Sequence, residues 1–167
     1  MKIIGVLLSI LLALCGGQLN IPQKEEPPKL SLQLHNIYRD QYIGRWVIPE
    51  VNVDVACYQS YSQAVVDRED SAAIFEQESG YAIGDHWNQG FISITKCKPG
   101  MRAVLKTPEG DIEYECVSVI EGLNGGPYIT DVNGVHVSDI SPGGVYCYTC
   151  QGATTWKNLY IALFQPV

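Results

Sequence analysis

The chain has 167 residues, with 18 Asp or Glu against 11 Lys or Arg and a formal net charge of −7. So few cations leave no basic patch of the kind that grips a nucleic-acid backbone, which argues against nucleic acid as a partner. With 46% hydrophobic and 17% charged residues, the composition suits one folded domain with a real core. Beyond the N-terminus no segment approaches the roughly 18 apolar residues of a membrane helix.

Residues 1–17 have the layout of a secretory signal peptide: Lys2, an apolar run from Ile3 to Leu14, then the small residues Cys15, Gly16 and Gly17. A lipoprotein signal lipidated at Cys15 is the competing reading, and Leu14, where a small residue belongs, speaks against it. The sequence therefore predicts a secreted, extracellular protein. Residues 18–35 are proline-rich and charged and read as an arm. The stretch "LHNIYRDQY" (34–42) suits one helical turn before a single domain over 36–167.

From Ile43 onward, strand signals follow one another closely, at 45–51, 55–65, 72–79, 90–97, 101–107, 111–120, 127–132, 135–140, 145–150 and 158–164. The breaks "KPG", "PEG", "NGG", "VNGV" and "SPGG" are turn formers with a mechanism, since their glycines and asparagines reach positive φ. "SQAVVDREDSAAIFEQES" (62–79) is the one helix candidate in this region. In "DIEYECVSVI", Ile112, Tyr114 and Cys116 share one face while Glu113 and Glu115 take the other. Short strands with tight connections predict an all-β fold, an antiparallel up-and-down β-barrel of about eight strands with an inserted hairpin.

Cys57, Cys97, Cys116, Cys147 and Cys150 follow the leader. In an oxidising compartment five cysteines imply two disulfides and one thiol left over. Cys97 and Cys116 flank one strand and are candidates to bridge its neighbours, with Cys57 paired to Cys147 or to Cys150. The Cys147-x-x-Cys150 spacing lies in strand-like "VYCYTC" and not at a helix start. His35, His86 and His136 are scattered, so neither a metal nor a redox cofactor is implied. No Ser-His-Asp order, HExxH or phosphate-binding glycine loop is readable, so no catalytic residue is assigned.

"NIYRDQYIGRW" (36–46) carries a resemblance. Asn36 followed by Tyr42-Ile43-Gly44-Arg45-Trp46 resembles the N-terminal signature of the lipocalins, in the branch like apolipoprotein D, and "CYQSYS" and "VYCYTC" resemble two strands of that branch. The resemblance implies that Trp46 plugs one end of a barrel while Gly44 lets the chain pack across it, both structural. A second family signature falls on Thr130-Asp131-Val132 or Ser138-Asp139-Ile140. The family's third, an arginine late in the last strand, meets Gln165 instead, and the family's C-terminal helix has no counterpart before Val167.

What the resemblance implies is a binding protein that holds a small hydrophobic ligand in a cup, with lipid, sterol, retinoid or pigment as the ligand class. The implied lining is Tyr42, Tyr61, Trp87, Phe91, Tyr114, Tyr148 and Tyr160, aromatic faces with polar tips. Two other classes compete. One is a secreted interaction module that uses the "GLNGGPYITDVNGVHV" segment. The other is a lipocalin-type isomerase or de-epoxidase that uses the odd thiol. Independently of family, "NLYIALF" (158–164) is apolar on both faces. Its outer face therefore needs cover, from the N-terminal arm or from a second copy in a homodimer.

Overall fold

A computed structural model describes residues 40–126 and 128–167. The expected leader, arm and most of the helical turn, with Cys15, His35 and Asn36, lie outside these residues. Among the described residues nine strands occur: β1 (Gln41–Ile48), β2 (Val53–Gln59), β3 (Ser71–Gln77), β4 (Gly80–Gly84), β5 (Arg102–Thr107), β6 (Gly110–Asn124), β7 (Ile129–Asp131), β8 (Val145–Cys150) and β9 (Asn158–Pro166). Their order is β5-β1-β2-β3-β4-β8-β9-β6-β7, and β5 also pairs with β6. Eight strands thus close into a barrel, and β7 folds back on the long β6 as the inserted hairpin. The all-β barrel expected from the sequence is present. Within it, β2 runs parallel to β3 and β4 parallel to β8, between otherwise antiparallel neighbours.

Period-two alternation dictates the wall. Gly44, Trp46 and Ile48 of β1, Val53, Val55 and Cys57 of β2, and Ala103 and Leu105 of β5 are all buried. All but Gly44 meet Tyr114 and Cys116 of β6, Cys147 of β8, and Ala162 and Phe164 of β9 in one cluster. Trp46 is completely buried, with the Tyr114 and Phe164 rings each 5.3 Å from its own. Gly44 is there because the backbone of Lys106 crosses it so closely that a Cβ would overlap the carbonyl oxygen. The barrel interior is packed with side chains, as barrels of this strand number allow.

Four elements differ from the sequence reading. Residues 90–96 form a 3₁₀ helix, not a strand, and Phe91 and Ile94 are its buried side; their spacing of three is the period of that helix. Strand β4 begins and ends in glycine and lies outside the expected strands. Residues 137–140 make a turn of helix, α2 (Val137–Ile140), inside the insertion. The helix candidate at 62–79 shrinks to α1 (Gln63–Val66), N-capped by the Ser62 hydroxyl, which accepts from the Ala64 amide.

The outer face of β9 is covered from within the chain. Leu159, Ile161 and Leu163 pack with Ile129 of β7, Val137 of α2, Ala82 and Tyr146 in a second buried cluster. The insertion is the cover, so the expected homodimer through the last strand is corrected: no apolar face of β9 remains for a partner.

Candidate active site

The feature that organises the site is the parallel pair β4–β8. Gly84 lies opposite Tyr148, and the Asp85 amide extends the ladder by donating to the Tyr148 carbonyl at 3.3 Å. His86 and Cys150 each follow that matched pair by two residues. Both line one open cleft of about 1120 Å³, at the ends of adjacent strands that point the same way. Ser60 to Gln63, Phe75, Tyr148, Trp87 and Trp156 wall it.

Short α1 supplies the second layer. Asp67, its C-cap, accepts from His86 Nε2 at 2.8 Å and from the Gln63 amide at 3.0 Å. These two donors hold the Asp67 carboxyl below the usual range, with the His86 bond the larger cause. Because the carboxylate can only accept, Nε2 carries a proton and Nδ1 is the nitrogen left to act as base.

Asp85 is only 5% exposed. Its Oδ1 accepts the His86 amide at 2.7 Å, while Oδ2 finds no hydrogen bond of good geometry. Burial pushes this carboxyl up to about 6, against the opposing pull of the His86, Phe91 and Gly90 amides and the His86 charge.

The five described cysteines are free thiols in this structure, so none of the expected bridges is formed among them. Cys57, Cys97, Cys116 and Cys147 are buried in the barrel core. Burial raises Cys57 and Cys97 to about 12 and Cys147 well above the normal thiol range, which makes them inert at neutral pH. Cys150 alternates to the opposite face of β8 and is partly exposed in the cleft, its thiol raised by burial alone. Among the described residues no cluster of His, Cys, Asp or Glu is arranged to hold a metal.

The expected ligand lining is not brought together. Tyr61, Trp87 and Tyr148 border the cleft, with Tyr61 78% exposed. Phe91 and Tyr114 belong to the barrel core. Tyr42 stands against Tyr58 on the surface, and Tyr160 pairs opposite Thr149 and Glu121, away from that cleft. His86 and Cys150 were passed over as a scattered histidine and a disulfide half. Their one signal in sequence was periodicity: Cys147 and Cys150, three apart on a strand, must face opposite sides, so one of them leaves the core.

No family model matches the chain, and no curated protein matches it. Solved structures do. Sortase C from Clostridium perfringens SM101 superposes with a TM-score of 0.61 at 14% identity, over 84% of this chain and 77% of that one. Sortase A from Listeria monocytogenes gives 0.60 at 16% identity, over 77% and 88%. Streptococcus pneumoniae sortase C gives 0.59 at 13% identity, over 76% and 69%. The fold is the sortase β-barrel.

This overturns the lipocalin resemblance: the signature around Gly44 and Trp46 reflects what any tightly packed first barrel strand needs. With it go the hydrophobic-ligand cup, lipid transport and the small-ligand partner. The lipocalin-type isomerase and the cavity-free interaction module find no support either.

Proposed function

We propose that this protein is a cysteine transpeptidase acting on a peptide segment laid in the 1120 Å³ cleft. One observation carries the reading. Of five described thiols, the single one that lines the cleft shares it with His86, each two residues past the matched Gly84–Tyr148 pair of two parallel strands. Streptococcus pneumoniae sortase C has pilin substrate specificity, and a pilin-like peptide is the substrate class carried over here. The leader pattern at 1–17 supports action outside the cytoplasm.

In the reaction, Cys150 Sγ attacks the scissile carbonyl as His86 takes the thiol proton. The C–N bond breaks, His86 returns the proton to the leaving amine, and a thioester remains on Cys150. A second amine then attacks that carbonyl, loses its proton to His86, and expels the thiolate, which is reprotonated. Asp67 keeps the imidazole oriented and stabilises its charged form. No Lys or Arg lines the cleft among the described residues, so neutral N–H and O–H donors must meet the developing oxyanion.

The test is intact-mass analysis of the protein mixed with a panel of pilin-derived peptides, with and without a free-amine acceptor. A thioester adduct, absent from Cys150→Ala and discharged by the amine, is the expected result. A panel that yields no adduct, while iodoacetamide still reaches Cys150, would overturn the reading.

A further inference from the structure

The carboxylate of Asp85 sits in a place that sequence economy does not explain. It is one residue from His86, buried, and has one oxygen without a well-formed hydrogen bond. Burying a carboxyl this way is unfavourable unless it holds something in place. Asp85 touches three segments. Its amide is bonded to the Tyr148 carbonyl on β8, two residues before Cys150. Its Oδ1 holds the His86 amide. Its Oδ2 lies beside Gly90, where the 90–96 turn of 3₁₀ helix begins, so close that a Cβ on Gly90 would come within 2.8 Å. The same hypothetical Cβ would overlap the Val55 side chain, so glycine at 90 is what admits the carboxylate.

We propose that Asp85 is the positioning residue of this site: its carboxylate fixes the His86 amide against the start of the 90–96 helix, while its backbone amide joins the same turn to β8, which carries Cys150. This rests on the reading of Cys150 and His86 as the reacting pair. The ionised form is a stronger acceptor for the His86 amide, so the turn that carries His86 is held more firmly as pH rises. The titratable neighbours facing Asp85 are His86 on its own segment and Cys57 on β2. The 90–96 helix presents the backbone amides of Gly90 and Phe91, and β8 presents the Tyr148 carbonyl. Cys57 stays a neutral thiol across the working range, so His86 is the charge that Asp85 answers to.

The experiment needs no peptide substrate, so it stands or falls apart from the transpeptidase reading. Iodoacetamide alkylation of Cys150 is timed by peptide mapping from pH 5 to pH 8 in the wild type and in Asp85→Asn, which keeps the acceptor oxygen and loses the charge. The ratio of the two rates is expected near 1 at pH 5, rising to about threefold or more by pH 7.5 as the wild-type carboxylate forms. The Asp85 Cγ chemical shift, followed by NMR in the wild type alone, should turn over near pH 6. It does so whether or not the variant folds well. A rate ratio that stays flat across the range, or a Cγ midpoint in the ordinary aspartate range, would overturn the proposal. Alkylation that follows the expected ratio in a protein that cleaves no peptide would uphold Asp85 and refute the transpeptidase.

Discussion

The Tyr148 ring lies over Gly84, its parallel partner across β4 and β8, so closely that a Cβ on the glycine would come within 2.5 Å of the ring and its hydroxyl. That contact fixes the spacing of the two strand ends on which His86 and Cys150 sit. Tyr148 is half-buried, and its hydroxyl is held far above the ordinary range by desolvation, so the ring has little room to yield.

Gly84→Ala should therefore push Tyr148 aside and disturb the pair beyond it. The expected cost is about 1–3 kcal/mol of overpacking. The loss of Cys150 acylation should exceed what that destabilisation explains at a temperature where the variant remains folded. Denaturant titration and adduct formation, measured on the same sample, check it. A variant with wild-type acylation would show that the ring contact does not set the site.

Thiol accessibility should divide the five described cysteines one against four. In the folded protein iodoacetamide should modify Cys150 and leave Cys57, Cys97, Cys116 and Cys147 untouched. All four should react in denaturant. Because burial raises the Cys150 thiol, less thiolate exists at neutral pH than for a free cysteine, and its rate should still be climbing above pH 9. Peptide mapping after alkylation reads both.

How far the sequence disclosed this molecule follows from which interactions are local. Alternation in "YIGRWVI" and "DIEYEC" and the glycine turns are local, so the all-β barrel was legible. The β4–β8 pairing joins residues some sixty positions apart through a parallel register, and no periodicity reports that. The stretch bounded by Gly80 and Gly84 carried no strand signal, because a glycine required for close approach is indistinguishable in sequence from one required for a turn. Without β4 as a strand, His86 had no position and Cys150 had no neighbour. The Gly-x-Trp motif misled for a related reason: Gly44 admits the Lys106 backbone and Trp46 fills the core, demands that more than one barrel family meets in the same way.

Asp67→Asn should lower the rate of thioester formation by roughly tenfold while peptide affinity changes little, since Asp67 touches His86 and not the open floor of the cleft. An asparagine can present its amide N–H to Nε2 and so favour the wrong tautomer. The wild-type carboxyl is held below its usual range by His86 and Gln63, so the Asp67–His86 pair should persist into mildly acidic solution. Separate kcat and KM values for the variant decide this. An effect confined to KM would place Asp67 in substrate binding.

Asp85 makes stability depend on pH in a stated direction. Its carboxyl titrates at about 6 in the folded protein and near 3.9 when unfolded, so between those values the folded state holds the extra proton. This contribution is fully present below about pH 4 and is lost as pH rises through about 6, at a cost of about 2–3 kcal/mol. Asp85→Asn should remove the slope, and the variant should be the more stable protein at pH 7.5. Urea unfolding at pH 4.5 and 7.5 for both proteins tests it; parallel changes in the two would refute the assignment.

The cover over β9 gives the last expectation. Ile161 and Val137 are fully buried where the insertion lies on the outer barrel wall. Ile161→Ala should cost about 2–5 kcal/mol, the range for deleting a large buried aliphatic side chain. Val137→Asp places an unpaired charge in the same seam, and the insertion should lift away rather than bury it. The exposed Leu159, Ile161 and Leu163 face would then seek another apolar surface. Sedimentation should find the wild type monomeric and Val137→Asp self-associating. A monomeric Val137→Asp that keeps its barrel would mean that the seam tolerates the charge, and that the insertion is not what shields this wall.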